Sequence, residues 1–306
     1  MKITVIICTY NRCVSLSKSL ESLVASTLPP SVDWEVLIVD NNSTDQTKTV
    51  IERFCSCHPN LVRYVFEPQP GKSHALNTGI LAASGTVLAF MDDDVTVEST
   101  WLQNLTMPLH DEQWAGSGGR ILPQSAWSPP AWVPVTARYG LAPLAMFDLG
   151  LDAGPLTEPP FGTNMAFQKW VFEKYGGFRT DLGPRPGSEI RNEDTEFGQR
   201  LLTAGEQLRY EPSAVVYHTI PEARLRKPYF LAWWFAKGRA DAREFKINTV
   251  RLHCSLAAWT LRWVLAFDPA RRFERKLIVR WKAGALLERY RQVFATSGRE
   301  EQTAET

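Results

Sequence analysis

Thr86-Val-Leu-Ala-Phe-Met-Asp-Asp-Asp94 is the stretch on which the fold class turns. Its first six residues hold five apolar side chains without alternation, a run of strand length rather than helix length. A strand of this kind is covered on both faces, as in parallel sheets. It stops abruptly on three aspartates. Two stretches upstream have the same design. Ile3-Thr-Val-Ile-Ile-Cys8 leads into Thr9-Tyr10-Asn11-Arg12, and Trp34-Glu-Val-Leu-Ile-Val39 leads into Asp40-Asn41-Asn42-Ser43. Leu61–Phe66 adds a further strand. Helical spacing predicts helices over 15–25, where Leu16, Leu20, Leu23 and Val24 share a face, over 44–54 with Asp45 as a cap, and over 73–83. The alternation βαβαβαβ specifies an α/β chain with a doubly wound, mostly parallel sheet flanked by helices. Ligands bind such sheets beyond the carboxyl ends of the strands, and three strand ends here carry polar clusters.

Whole-chain numbers are ordinary, at 44% hydrophobic, 22% charged and a formal charge of +1 over 306 residues, so disorder is excluded as the default. The charge is unevenly placed. Residues 222–294 hold 17 Lys/Arg against 6 Asp/Glu, a local +11, and the rest of the chain carries −10. That asymmetry suggests an acidic, metal-using body and a basic extension that meets an anionic partner, or else a solvated basic helical surface. Five cysteines without a regular framework fit reduced thiols in a cytoplasmic protein. Cys55-Ser-Cys57-His58 lacks a second half with metal-ligand spacing. The first residues enter a strand directly, so a signal peptide is not expected, and no apolar run reaches the length of a membrane span.

After residue 123 the pattern changes. Ser125–Pro134 is rich in Pro and Trp and reads as a loop, in which Trp127 and Trp132 either stack on an acceptor sugar or pack in a core. A strand is expected over 161–167, a helix over 193–204 and a strand over 208–217 that includes Pro212. Gly116-Ser-Gly-Gly119 either lets backbone approach a ligand or forms tight turns. Gly183-Pro-Arg-Pro-Gly187 has the composition of a closing loop, or of a static turn.

The aspartates carry the chemistry. A departing diphosphate leaves charge that a divalent cation neutralises, acting as Lewis acid and template. Mg²⁺ and Mn²⁺ prefer carboxylate and phosphate oxygens. Asp92 and Asp94, two apart at a strand end, reach one site together, while Asp93 points elsewhere. An acidic loop capping Val95 onward is the competing reading.

These segments resemble the family 2 glycosyltransferases of bacterial cell-surface polysaccharide assembly, which have a GT-A fold. Val5-Ile-Ile-Cys-Thr-Tyr-Asn-Arg12, Val36-Leu-Ile-Val-Asp-Asn-Asn-Ser-Thr-Asp45, Gly71-Lys-Ser-His-Ala-Leu-Asn-Thr-Gly79 and Phe90-Met-Asp-Asp-Asp-Val95 resemble the nucleotide-binding half in order. Phe161-Gly-Thr-Asn-Met-Ala-Phe167 and Arg191-Asn-Glu-Asp-Thr-Glu-Phe197 resemble the acceptor half. The resemblance implies a GT-A domain over 1–221, divided near 122; beyond it, composition predicts a basic Trp-rich helical extension over 222–294 and a disordered polar tail over 295–306. The resemblance also implies that Thr9, Tyr10, Arg12, Asp40, Asn42, Lys72, Asp92 and Asp93 line the nucleotide pocket. Asp40 would accept from a base N–H, which favours a uridine nucleotide, and Lys72 would face the phosphates. Asp94, Asp92 and His218 would hold Mg²⁺ or Mn²⁺, though a lone histidine is more often structural. Asn164, like Gly116-Ser-Gly-Gly119, either brings backbone close to the donor sugar or metal or forms a tight turn. Asp194 would be the general base of an inverting displacement, with Glu193 the second candidate; both also suit a helix N-terminus.

The implied activity is metal-dependent transfer of a sugar from a nucleotide-diphosphate donor to a glycan or lipid-linked acceptor. Nucleotidyl transfer would prefer a Gly-rich phosphate loop after the first strand, and Thr9-Tyr10-Asn11-Arg12 is not one. A non-catalytic nucleotide-sugar binder would lack Glu193-Asp194. In the extension, Pro228 fits the first turn of a helix running to Phe245, and Trp259, Trp263 and Trp281 mix with arginines. That composition suits a peripheral position on an anionic membrane face, or packing on the body or on a second subunit. Nucleic acid is excluded, since no recognised module accompanies the charge. Oligomeric state is left open.

Overall fold

The computed structural model describes residues 1–124, 128–135 and 140–304, with side chains through 294. It divides into two units. The second collects Ser128–Leu144, Gly187–Asn192 and the chain from Pro221 onward; the first holds the remainder.

The first unit is built on nine strands among the described residues: β1 (Lys2–Thr9), β2 (Asp33–Asp40), β3 (Val62–Phe66), β4 (Val87–Asp92), β5 (Val95–Val97), β6 (Trp114–Pro123), β7 (Gly154–Pro155), β8 (Asn164–Gln168) and β9 (Gln207–His218). The sheet order is β3-β2-β1-β4-β8-β6-β9-β5, with β7 paired to β9. β1 to β4 are mutually parallel where they pair, β6 runs parallel to β9, and β8 and β5 are antiparallel to their neighbours. Helices α1 (Cys13–Val24), α2 (Thr47–Cys57), α3 (Lys72–Ala82), α4 (Trp101–Thr106), α5 (Trp170–Tyr175) and α6 (Glu193–Thr203) belong to the same unit. The apolar runs read from the sequence are its core, with Val5, Ile6, Ile7, Leu37, Ile38 and Leu88 fully buried. Burial on both faces is why those strands do not alternate.

Sheet register aligns the polar strand ends. Thr9 pairs with Asp40 and Cys8 with Asp92, so the first three clusters end at one level. Met91 pairs with Asn164, which brings Thr163 toward Asp92, and Val95 pairs with His218, which brings that histidine toward Asp94.

β6 corrects the reading of its glycines. Gly116-Ser-Gly-Gly119 is extended strand, neither a tight turn nor a ligand-facing loop. A Cβ on Gly119 would lie 2.1 Å from the Ala214 carbonyl oxygen, and one on Gly116 would lie 2.3 Å from the Phe167 ring. Those neighbours belong to β9 and β8, so the glycines are there for close strand packing.

The second unit contains α7 (Lys227–Glu244), α8 (Thr249–Val264) and α9 (Pro269–Ala304), the last extending through most of the polar segment read as a disordered tail. α7 and α9 cross at two glycines. A Cβ on Gly238 would sit 1.9 Å from the Trp281 carbonyl oxygen, and one on Gly284 would sit 2.0 Å from that of Phe235. Polar pairs fix the crossing. Glu288, 3% exposed, accepts from Arg239 Nε at 2.8 Å and Arg243 Nε at 2.7 Å. Asp241 accepts from Trp281 Nε1 at 2.7 Å, Lys237 Nζ at 2.6 Å and Asn192 Nδ2 at 2.7 Å. Trp132 lies edge-on to Phe230 and Phe273, with ring centroids 5.0 and 5.2 Å away. Of the two roles read for it, packing is the one these contacts display, and they group residues 128–135 with the extension. Trp127 lies outside the described residues. No helix of the described residues is long and apolar enough to cross a membrane.

Candidate active site

Lys72, at the start of α3, is the hub. Its Nζ donates to Asp92 Oδ1 at 2.7 Å and lies 3.6 Å from Glu193 Oε1. α3 starts there because Gly71, at φ 138°, turns the chain, and because Asn41 fixes that turn. Buried Asn41 accepts from Gly71 N at 2.7 Å and donates to the carbonyls of Glu67 and Gln69. From the other side, Lys72 N donates to the Pro184 carbonyl at 3.0 Å and Ser73 Oγ to that of Leu182 at 2.8 Å. The Gly183–Pro186 stretch is thus held against the helix start. Burial would lower the pKa of Lys72, but Asp92, Glu193 and Asp194 outweigh it and raise it.

Asp92 closes β4. Its second oxygen, Oδ2, accepts from Thr163 Oγ1 at 2.6 Å. Burial pushes this carboxyl up, yet the Lys72 charge and the two hydrogen bonds leave it below the usual carboxylate range. Asp93 is buried at 6% exposure, with Arg12 Nη1 3.6 Å from Oδ1. Burial dominates there and pushes its carboxyl up to about 7. Asp94 differs again. Arg12 Nη1 donates to its Oδ2 at 2.5 Å, and His218 Nε2 lies 3.7 Å from the same oxygen. Burial opposes ionisation of Asp94, but His218 and then Arg12 prevail and hold it well below the usual range. Three consecutive carboxyls therefore have three environments.

Asp194 lies in the first turn of α6. Its Oδ2 accepts from Gly162 N at 2.6 Å and its Oδ1 from Thr195 N at 2.7 Å. Asp194 lines one small cleft with Cys8, Lys72, Asp92, Gly162 and Glu193. Cys8 in that cleft is a neutral thiol, its pKa pushed far up by burial.

Among the remaining sequence candidates, Tyr10 is 42% exposed and Thr9 is buried. Asn42 is exposed at a left-handed φ of 65°. Asp40 is 2% exposed and accepts from Ser43 N at 3.0 Å and Tyr64 Oη at 3.4 Å, so it stabilises the turn after β2. Asp45, expected to be the cap, lies one residue before the N-cap Gln46 and accepts from Thr47 N at 2.9 Å. Asn164 has its side chain in the packing. It is fully buried, accepts from Trp101 Nε1 at 2.9 Å and donates to the carbonyls of Arg120 and Ala214 at 2.8 Å. Its amide ties β8 to α4, β6 and β9. Thr163, beside it, is the residue sequence reasoning passed over.

The donor set suits a hard divalent cation in one respect. Asp94 is held ionised next to the imidazole of His218, whereas both oxygens of Asp92 are engaged elsewhere. No group of three or more His, Cys, Asp or Glu side chains that could hold a metal occurs among the described residues. A cation at Asp94 would draw its other ligands from substrate oxygens, as Mg²⁺ commonly does.

Comparison with known proteins bears on the family and the fold. The model of Glycosyl transferase family 2 matches residues 4–174. Glycosyltransferase AglE of Haloferax volcanii is 26% identical over 268 residues, covering 87% of this chain and 82% of its own. The glucosyl-dolichyl phosphate glucuronosyltransferase of the same organism is 26% identical over 240 residues, 76% of this chain and 75% of its own. The mannosyltransferase PcManGT of Pyrobaculum calidifontis, solved with GDP-Man and Mn²⁺, superposes with a TM-score of 0.62 at 20% identity, covering 94% of this chain and 86% of that one. The sheet order and its flanking helices are thus of GT-A type. With more than half of its length matched to that one family, the chain is a glycosyltransferase of family 2.

Proposed function

We propose that the enzyme transfers a sugar from a nucleoside-diphosphate donor to a hydroxyl of a glycan or lipid-linked acceptor, with inversion at the anomeric carbon. The observation that carries this reading is Lys72. One ammonium lies against Asp92 of the nucleotide half and Glu193 of the acceptor half, so both halves address one cleft. The diphosphate is assigned to Lys72 and Arg12, whose charges attract phosphate oxygens. A Mg²⁺ or Mn²⁺ held by Asp94 and His218 would neutralise charge on the departing diphosphate. Asp40 retains acceptor capacity beyond its bonds to Ser43 and Tyr64, and the N–H edge of a uracil or a guanine would use it. A UDP-sugar is the favoured donor.

Asp194 is the base. Two backbone amides hold its carboxylate and fix its rotamer. The acceptor hydroxyl gives its proton to Asp194 as its oxygen bonds to the anomeric carbon and the bond to the diphosphate breaks on the opposite face. A single displacement of this kind inverts configuration. Glu193, 4% exposed and beside Lys72, is assigned to positioning that lysine. The relative named as acting on a dolichyl phosphate substrate supports a lipid-linked acceptor. In Asp194→Asn, turnover should fall by about two to four orders of magnitude with donor affinity unchanged. Loss of nucleotide binding in that variant would instead place Asp194 in the donor pocket.

A further inference from the structure

Helix α8 turns its apolar stripe outward. Val250, Cys254, Ala257, Leu261, Val264 and Leu265 recur at helical spacing, and all are exposed. Leu261, Val264 and Leu265 are 58–60% exposed, and Phe267, in the turn to α9, is 98% exposed. The opposite face is the one that packs: Leu252 is buried with Ala242 and Ala285, and Trp259 and Trp263 are half-buried. A monomer rarely leaves so continuous an apolar face in water unless it binds something there.

Charge identifies the partner. From Thr249 to Arg272 the exposed arginines Arg251, Arg262, Arg271 and Arg272 face one acidic residue, Asp268. Asp268 is already used, accepting from Arg271 N at 2.7 Å to start α9. Glu274 follows one turn later and is half-buried. Arg262 lies over the ring of Trp259 and Lys276 over that of Trp263, pairs that suit the boundary between water and lipid. A second copy of this chain would bring the same arginines face to face, because a two-fold contact joins like surfaces. An anionic bilayer presents phosphates to the arginines and acyl chains to the apolar tip.

We propose that the α8–α9 tip is a lipid-docking surface, with Leu261, Leu265 and Phe267 entering the headgroup boundary of an anionic membrane and the four arginines pairing with its phosphates. Docking needs no donor, acceptor or metal, so it stands apart from the catalytic reading. The test is co-sedimentation of the full chain with phosphatidylcholine vesicles with and without phosphatidylglycerol. Wild type should bind only the anionic vesicles well, and less as salt rises. Phe267→Ser should lower that partitioning roughly tenfold or more, and Phe267→Trp should retain it. Arg271→Glu with Arg272→Glu should lower it at least roughly thirtyfold. These side chains are exposed, so unchanged melting by circular dichroism is expected and checks that the variants fold. Equal binding to neutral and anionic vesicles, or wild-type sedimentation of Phe267→Ser, would overturn the proposal. So would light scattering that shows a dimer dissociated by Phe267→Ser together with no vesicle binding.

Discussion

In Lys72→Met, Asp92 and Glu193 lose the cation they share. The Lys72 and Asp92 side chains are about a quarter exposed and 2.7 Å apart, and Glu193 is nearly sealed. Removing one partner of a fully buried pair costs about 3–5 kcal/mol; partial access of water lowers that to about 2–3 kcal/mol here. For a folding unit of roughly two hundred residues, each kcal/mol moves the melting temperature by about 2–4 °C, so a drop of about 5–10 °C is expected. The pH dependence is diagnostic. In the wild type the folded pKa of Asp92 is depressed, so its contribution is present above the unfolded carboxylate pKa and lost as pH falls through the folded one. In the variant, burial is no longer opposed by Lys72 and the folded pKa rises. The folded state then binds more protons than the unfolded state, and its stability improves as pH falls. Thermal melts of both proteins at about pH 8 and pH 5 should show a deficit that is large at the higher pH and shrinks at the lower. A deficit that is negligible, or identical at both pH values, would refute the shared-cation reasoning.

Asn164→Ala should destabilise the first unit by about 3 kcal/mol or more, since it strands the Trp101 indole N–H and two buried carbonyls. A melting temperature unchanged while KM for the donor rises would return Asn164 to the substrate. Glu288→Gln should cost about 2 kcal/mol at neutral pH by removing the charge between Arg239 and Arg243. Burial pushes Glu288 up, but the two arginines bring its folded pKa below the ordinary value. Its contribution is therefore present above the unfolded pKa and lost as pH falls through the folded one, and the protection of α7 amides, normalised to their intrinsic exchange rates, should fall in acid for the wild type but not for the variant.

The first four strands and three helices were legible because burial on two faces leaves a continuous apolar run, and amphipathic helices leave a period. Register then made the strand-end clusters converge, as the pairing of Cys8 with Asp92 and of Thr9 with Asp40 shows. β6 was not legible. Its glycines lower strand propensity, and the need for them lies in Phe167 and Ala214, which are distant in sequence. Asn164 sat in a suggestive motif, and only its three partners show that its amide is consumed by packing. Arg12 was read as a pocket residue, without any sign of its bond to Asp94 82 residues away. Thr163 was hidden for the same reason. Its signal was its place beside Asn164, yet its tie to Asp92 depends on the antiparallel pairing of β4 with β8. In the extension, composition announced basic aromatic helices, but which aromatics pack and which protrude depends on the crossing at Gly238 and Gly284.

Calorimetric titration of UDP- and GDP-sugars into wild type and Asp94→Asn, each with Mn²⁺ and with chelator, bears most directly on the proposed donor site. Wild type should bind one donor class tightly only with Mn²⁺, and Asp94→Asn should lose that Mn²⁺-dependent affinity by at least about tenfold to a hundredfold. Donor binding that is indifferent to Mn²⁺ in the wild type, or untouched by Asp94→Asn, would contradict the assignment.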